Sequence, residues 1–159
     1  MLTWLLALVG CDQQAFGGKE LGRIHYDKPG KREQTTLDLP PKTKIAFYEN
    51  YSQDSSGPGS SYVPEDCFRL QISIEQGTKT KELECYPFGG TTSKWVRSTK
   101  CRSSHRSGGK YRKKLCRIND CTAVLNAGGE STISAELETL KPCYRRVTAH
   151  TLIIKEVDD

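Results

Sequence analysis

No stretch of this 159-residue chain keeps a helical period of apolar residues for more than about two turns. Strands are therefore the expected element. No segment of 20 to 50 residues recurs, which excludes a solenoid or a propeller. Long hydrophobic runs are missing too. The apolar stretch at residues 2–9 falls well short of the roughly 20 residues that a membrane-spanning helix needs. Hydrophobic residues make up only 35% of the chain, enough for one modest core in a single domain. Enzyme signatures are equally scarce: there is no Gly-x-Ser-x-Gly elbow, no His-Glu-x-x-His helix and no phosphate-cradling glycine motif before a helix. Finally, no Asp or Glu occurs between Lys94 and Arg117.

What is present is short alternation between turn signals. Ile24 and Tyr26 flank His25 before Lys28-Pro29-Gly30-Lys31. Leu37 and Leu39 alternate before Pro40-Pro41, and residues 44–48 form an apolar, aromatic run. A polar loop is expected over 52–61. The clearest strand is 67–75, with Phe68, Leu70, Ile72 and Ile74 on one face and Arg69, Gln71, Ser73 and Glu75 on the other. Further strands are expected at 78–86, at Lys94–Arg97 with Trp95 and Val96, at 122–125, and at 147–157. Residues 130–140 read as a strand, because Thr and Ile content and a period of two outweigh a helical reading. The expected fold is all-β, an antiparallel β-sandwich of about seven to nine short strands stabilised by disulfides.

The 67–75 and 78–86 runs permit a register argument. A two-residue turn at Gln76-Gly77 sets Leu70 against Leu83 and Phe68 against Cys85, keeping apolar residues together. That register sends Cys67 to the opposite face. A three-residue turn would bring Cys67 to Cys85 but turn Glu82 and Glu84 onto the apolar face. The two demands conflict, so Cys67 and Cys85 are not paired.

Seven cysteines, an odd number, are many for a cytosolic chain of this size and ordinary for an exported one. The first eleven residues bear on the oddness. Residues 2–9 are apolar and end in Gly10-Cys11, after which Asp12-Gln13-Gln14 is abruptly polar. Leu8-Val9-Gly10-Cys11 resembles the lipobox of bacterial lipoproteins, although no Lys or Arg precedes the apolar run. The resemblance covers eleven residues and implies a signal peptide at 1–10, cleavage before Cys11 and acylation of its thiol. It also implies an extracytoplasmic, membrane-anchored address, read as outer membrane or cell surface ahead of inner membrane. Asp12 itself resembles an inner-membrane retention signal of enteric bacteria. Acylating Cys11 leaves Cys67, Cys85, Cys101, Cys116, Cys121 and Cys143, an even set that can form three disulfides. Six cysteines allow 15 connectivities, and proximity alone suggests Cys116 with Cys121. Residues 11–22, rich in glycine after the lipidated cysteine, read as a flexible tether, and 23–159 as one β-sandwich domain.

A rival use of the cysteines is metal. Cys101-x3-His105 followed by Cys116-x4-Cys121 supplies three thiolates and an imidazole, a tetrahedral zinc set in principle. In basic surroundings it would read as an intracellular nucleic-acid-binding finger. The spacing fits no zinc motif and strands the other three cysteines.

The basic window is the main functional candidate. Lys94, Arg97, Lys100, Arg102, Arg106, Lys110, Arg112, Lys113, Lys114 and Arg117 stand together, with Trp95 and Tyr111 among them. The rest of the chain carries 14 basic and 19 acidic residues. Ser107-Gly108-Gly109 reads as a loop tip between two arms whose base Cys101 and Cys116 fix. Such a patch suits a polyanion; a solvated loop is the bland alternative.

His25, His105 and His150 have no catalytic setting, His25 and His150 reading as exposed strand residues. Glu82 with Glu84, and Glu136 with Glu138, read as solvated strand faces. The sequence thus points to a lipid-anchored extracytoplasmic binding protein of the bacterial envelope, not an enzyme. It implies no cofactor or metal. Its expected partners are the membrane, through acyl chains on Cys11, and a protein or anionic envelope component; nucleic acid and a small-molecule substrate are disfavoured. A secreted enzyme with an unrecognised site is the second alternative.

Overall fold

Alternating runs become strands, and the strands divide into two antiparallel sheets. The computed structural model describes residues 17–26, 29–54, 68–87, 101–104, 111–140 and 147–158, with 53–54, 101–104, 111–114 and 147–150 described by their backbone. Nine strands lie among these residues: β1 (Glu20–Tyr26), β2 (Arg32–Leu39), β3 (Thr43–Asp54), β4 (Phe68–Gln76), β5 (Lys79–Cys85), β6 (Cys101–Ser104), β7 (Tyr111–Leu125), β8 (Gly129–Thr139) and β9 (Val147–Glu156). One sheet has the order β1-β9-β3-β7-β6 and the other β2-β8-β4-β5. This is the expected β-sandwich.

The core lies between the sheets and follows the two-residue period. Ile45 and Phe47 of β3, Ile72 and Ile74 of β4, Ile133 and Ala135 of β8, and Ile154 of β9 are almost fully buried. Each large aliphatic or aromatic side chain taken out of water contributes about 1.5–3 kcal/mol, which is how a chain of low hydrophobic content holds this fold. The polar alternates face solvent. On the second sheet they form ion pairs: Arg69 Nη2 lies 2.6 Å from Glu138 Oε2 and Arg32 Nε 3.5 Å from Glu136 Oε2. A smaller apolar cluster of Ala46, Tyr48 and Ile153 sits on the outer face of the first sheet, with Lys155 Nζ 5.0 Å from the Tyr48 ring centroid.

The β4–β5 hairpin keeps the expected faces but not the expected register. Leu70 stands opposite Cys85 and Ile72 opposite Leu83, a slip of two residues. The turn is Gly77-Thr78, not Gln76-Gly77. Gly77 takes a φ of 56° as the first central residue, a conformation that favours glycine and matches a tight hairpin turn. Gln76 is freed for another role: its Nε2 donates to Ala127 O at 3.0 Å and to Ser131 Oγ at 2.8 Å.

β7 is longer than any strand expected from the sequence because a wide bulge hides its alternation. Ala46 pairs with Thr122 while Tyr48 pairs with Arg117, so β7 carries extra residues against Phe47. Within the bulge Asp120 has a φ of 55°. Before it the buried residues are Cys116 and Ile118, and after it Cys121, Ala123 and Leu125. The bulge thus turns both Cys116 and Cys121 inward without letting them meet. Cys121 is instead spent on a partner in the other sheet. The proximity pairing of Cys116 with Cys121 is corrected accordingly: Cys121 bonds Cys85, with their Cα atoms 5.6 Å apart, tying β5 to β7 across the sheets.

Two other expectations are revised. Glu20, Leu21 and Gly22, read as the end of the tether, belong to β1, which pairs with β9. Lys19 O accepts from Glu156 N at 2.9 Å, so the chain is held against β9 before the strand begins. β3 runs to Asp54, so the polar stretch at 52–61 starts within a strand, and the remainder of it lies outside the described residues. The strand expected at Lys94–Arg97 also lies outside them.

Candidate functional site

Strand direction sorts the connections into two groups. At one end lie 40–42, 77–78 and 126–128, each only two or three residues long. At the other end 27–31, 55–67, 105–110 and 140–146 join strand ends, and 86–100 departs from Cys85 toward the start of β6. These longer connections contain ten Lys or Arg and three Asp or Glu, whereas the short ones contain Lys42 alone.

The described part of the basic window lies on β6 and the first part of β7. β6 and β7 are the two expected arms, with Cys101 opposite Cys116 and Ser104 opposite Lys113. Cys116 is disulfide-bonded. Arg112, Lys113 and Lys114 stand opposite Gln53, Ser52 and Tyr51 of β3, Arg102 opposite Leu115, and Arg117 opposite Tyr48. The other candidates, Lys94, Arg97, Lys100, Arg106 and Lys110, lie outside the described residues, as do Cys11, Cys67, Cys143 and His105.

The zinc set is overturned by bonding. Cys116 and Cys121 are both disulfide-bonded and so cannot supply thiolates. Among the described residues no three His, Cys, Asp or Glu side chains gather as a metal-binding group. His25 is exposed, with Nδ1 3.1 Å from Thr151 Oγ1 on the adjacent strand. Glu136 and Glu138 face outward and Glu82 and Glu84 are exposed, as a solvated face requires.

Near the ends of β1 and β3 lies a buried polar cluster that the sequence reading passed over. Ile45, Phe47, Glu49 and Tyr51 alternate along β3, and all four are buried. Glu49 is 3% exposed, and neither of its carboxyl oxygens has a hydrogen-bond partner. Tyr26, the last residue of β1, is buried with its hydroxyl also unpartnered. Burial holds the Glu49 carboxyl well above the usual carboxylate range. Burial, with Glu49 nearby, also raises the phenols of Tyr26 and Tyr51. The Tyr51 hydroxyl lies 3.9 Å from Cys116 Sγ, and as Cys116 is bridged the phenol is the donor of that pair. The sequence signal for Glu49 was its parity with Ile45 and Phe47; ending the run at Tyr48 concealed it.

The cluster sits on an arm that extends beyond the bridge. β5 ends at Cys85, while β7 has nine residues between its start at Tyr111 and the bridge partner Cys121. Because residues 118–121 bulge against Phe47, the arm matches β3 from Asp54 to Phe47, roughly 23 Å at about 3.3 Å per residue. Glu49, Tyr51, Cys116 and the cations at 112–114 all lie on the β3–β7 pair on that side of the bridge.

No family model matches the chain, and no curated protein matches it. Among solved structures it is similar to TmCBM61 in complex with β-1,4-galactotriose, with a TM-score of 0.36 and 10% identity over 93% of this chain and 77% of that one. That structure holds a small sugar, where a small-molecule substrate was disfavoured on sequence for this chain, and a likeness of this size assigns no ligand either way. The comparison places this chain in no family.

Proposed function

We propose that this chain is a lipid-anchored, extracytoplasmic binding protein of the bacterial envelope that engages an anionic partner through its long-connection end. The observation that supports the reading is the pairing of β6 with β7 and of β7 with β3, which sets Arg102, Arg112, Lys113, Lys114 and Arg117 on two neighbouring strands. A cationic end of this kind concentrates anions, and each exposed Lys or Arg near an anionic membrane surface is worth about 1 kcal/mol. The Cys85–Cys121 bridge and the bonded state of Cys116 support an oxidising compartment. The lipobox-like Leu8-Val9-Gly10-Cys11 supports acylation at Cys11, with the outer membrane or cell surface as the address.

Two experiments test the reading. Intact mass spectrometry of protein from its native host should show loss of residues 1–10 and an acyl mass on Cys11; retention of Met1 overturns the anchor. Polyphosphate binding should be salt-sensitive and should weaken at least tenfold when Lys110, Arg112, Lys113 and Lys114 are changed to Ser. Equal binding by the variant, or none by the parent, overturns the anionic partner.

A further inference from the structure

Glu49 holds a position that packing alone would give to a hydrophobe, as the same strand has at Ile45 and Phe47. Its carboxyl oxygens and the Tyr26 hydroxyl are buried with no hydrogen-bond partner among the described residues. Such burial costs stability in any state, and far more once the carboxyl is charged. The strand pairing around Glu49 is interrupted on both sides. β3 slips against β7 between Ala46 and Tyr48, and against β9 between Asn50 and Ser52. Glu49 therefore lies on a short stretch bounded by two irregular joints, where a strand bends and its ladder is broken. We propose that Glu49 is a pH-sensitive latch: protonated, it lets the β3–β7 arm close over it, and as pH rises its proton leaves to water and the arm loosens beyond residue 49.

The groups that face Glu49 give its carboxylate no support. On β3 the next inward residue is Tyr51, a phenol. β7 sets the bridged Cys116 opposite Glu49, with Lys114 and Arg112 further along, opposite Tyr51 and Gln53. β9 sets Leu152 opposite it, and β1 brings Tyr26, itself opposite His150. Among the described residues the second sheet sets one ionisable group inward at that end, Glu33 of β2, whose carboxylate pairs with Lys31. None of these bonds the Glu49 oxygens. Burial thus holds the Glu49 carboxyl well above the usual range, and opening the arm returns it to an ordinary value of about 4.3. The closed form is favoured in full only below that ordinary value, and it loses ground as pH rises toward the folded one. The Cys85–Cys121 bridge anchors β7 at the inner end of the arm, so the loosening is local and leaves the second sheet packed. The loosened part of β7 carries Arg112, Lys113 and Lys114, so pH sets how firmly those cations are presented, whatever they meet.

Hydrogen exchange of the full chain, corrected for the intrinsic pH dependence of amide exchange, tests the latch. From pH 5 to pH 8 protection over residues 50–54 and 111–115 should fall about tenfold or more in the parent. At pH 8 it should also lie about tenfold or more below that over 70–74 and 133–137, as local opening requires. Glu49→Gln keeps the shape of the side chain and cannot ionise, so its arm protection should stay within about twofold across the same range, and Glu49→Leu should behave alike. Flat arm protection in the parent overturns the proposal. So does arm protection equal to that of 70–74 at every pH, which would mean that the arm opens only with the whole fold. A fall that persists unchanged in either folded variant assigns the titration to another group and overturns it too. If neither variant folds, the two features of the parent profile still decide.

Discussion

The two ends of this sandwich are built on opposite principles. At the short-connection end backbone and side chains are stitched together. Gln76 joins the β4–β5 turn to Ala127 and Ser131, Thr43 Oγ1 donates to Pro40 O at 2.7 Å, and Val157 N donates to Lys44 O at 2.9 Å. A Cβ added at Gly128 would lie 2.8 Å from the Pro41 ring, so those two connections pack directly on each other. At the far end the described residues include a buried carboxyl and a phenol without partners, and the connections are long and cationic. One end satisfies its polar groups within the fold, and the other buries two of them without a hydrogen-bond partner. Function is commonly carried by long connections on a rigid scaffold, and the short-connection end supplies the rigidity.

The largest expected effect comes from cutting the link between sheets. Changing Cys85 and Cys121 together to Ala should lower unfolding free energy by about 4 kcal/mol, the chain-entropy value for a loop of this size, measured by urea denaturation. If the loss is near zero, the bridge does not hold the β3–β7 arm to the second sheet and the contrast between the ends loses its hinge.

Much of the fold was legible and the reasons are local. Phe68, Leu70, Ile72 and Ile74 alternate without interruption, so β4 and its inward face followed from spacing. β7 did not, because the bulge at Asp120 shifts its buried set from even to odd positions and no single period describes it. The hairpin register slipped by two because a positive φ at Gly77 makes Gly77-Thr78 the turn, a choice that alternation cannot see. The cationic window was visible as a run of residues, but the strand partners of Arg102, Arg112, Lys113, Lys114 and Arg117 needed strand order. Glu49 was missed because a carboxylate beside an aromatic run reads as the run's end rather than as its next inward position.

Next in size, Glu49→Leu should stabilise the protein by about 2 kcal/mol at neutral pH, since it removes an unsatisfied buried group. The pH dependence gives a sharper signature. The folded-state pKa of Glu49 is raised, so the stability this group contributes is complete below the unfolded carboxyl value of about 4.3 and is lost as pH rises through the folded value. The advantage of Glu49→Leu over the parent should therefore grow from pH 4 to pH 8, read by urea midpoints. A constant difference would mean that Glu49 ionises normally in the folded chain.

Smaller still, Gly77→Val should cost about 1–2 kcal/mol, because a β-branched residue is strained at a φ of 56° although open space surrounds the position. The smallest effect is expected at the other end. Four Gly and Ser residues inserted between Ser107 and Gly108 should change stability by less than about 1 kcal/mol, since loop length enters only logarithmically. Comparable losses at the two sites would remove the contrast between a stitched end and a permissive one.

The most direct measurement moves the same charge loss between the ends. One variant changes Lys110, Arg112, Lys113 and Lys114 to Ser; the other changes the exposed Lys19, Lys42, Lys79 and Lys81, which lie at or near the short-connection end. Both lose equal charge, so non-specific attraction falls equally. Polyphosphate affinity measured across a salt series should drop at least tenfold, with a shallower salt slope, in the first variant and stay within about twofold of the parent in the second. Equal losses in both would mean that net charge alone governs binding and that the long-connection end is not a site.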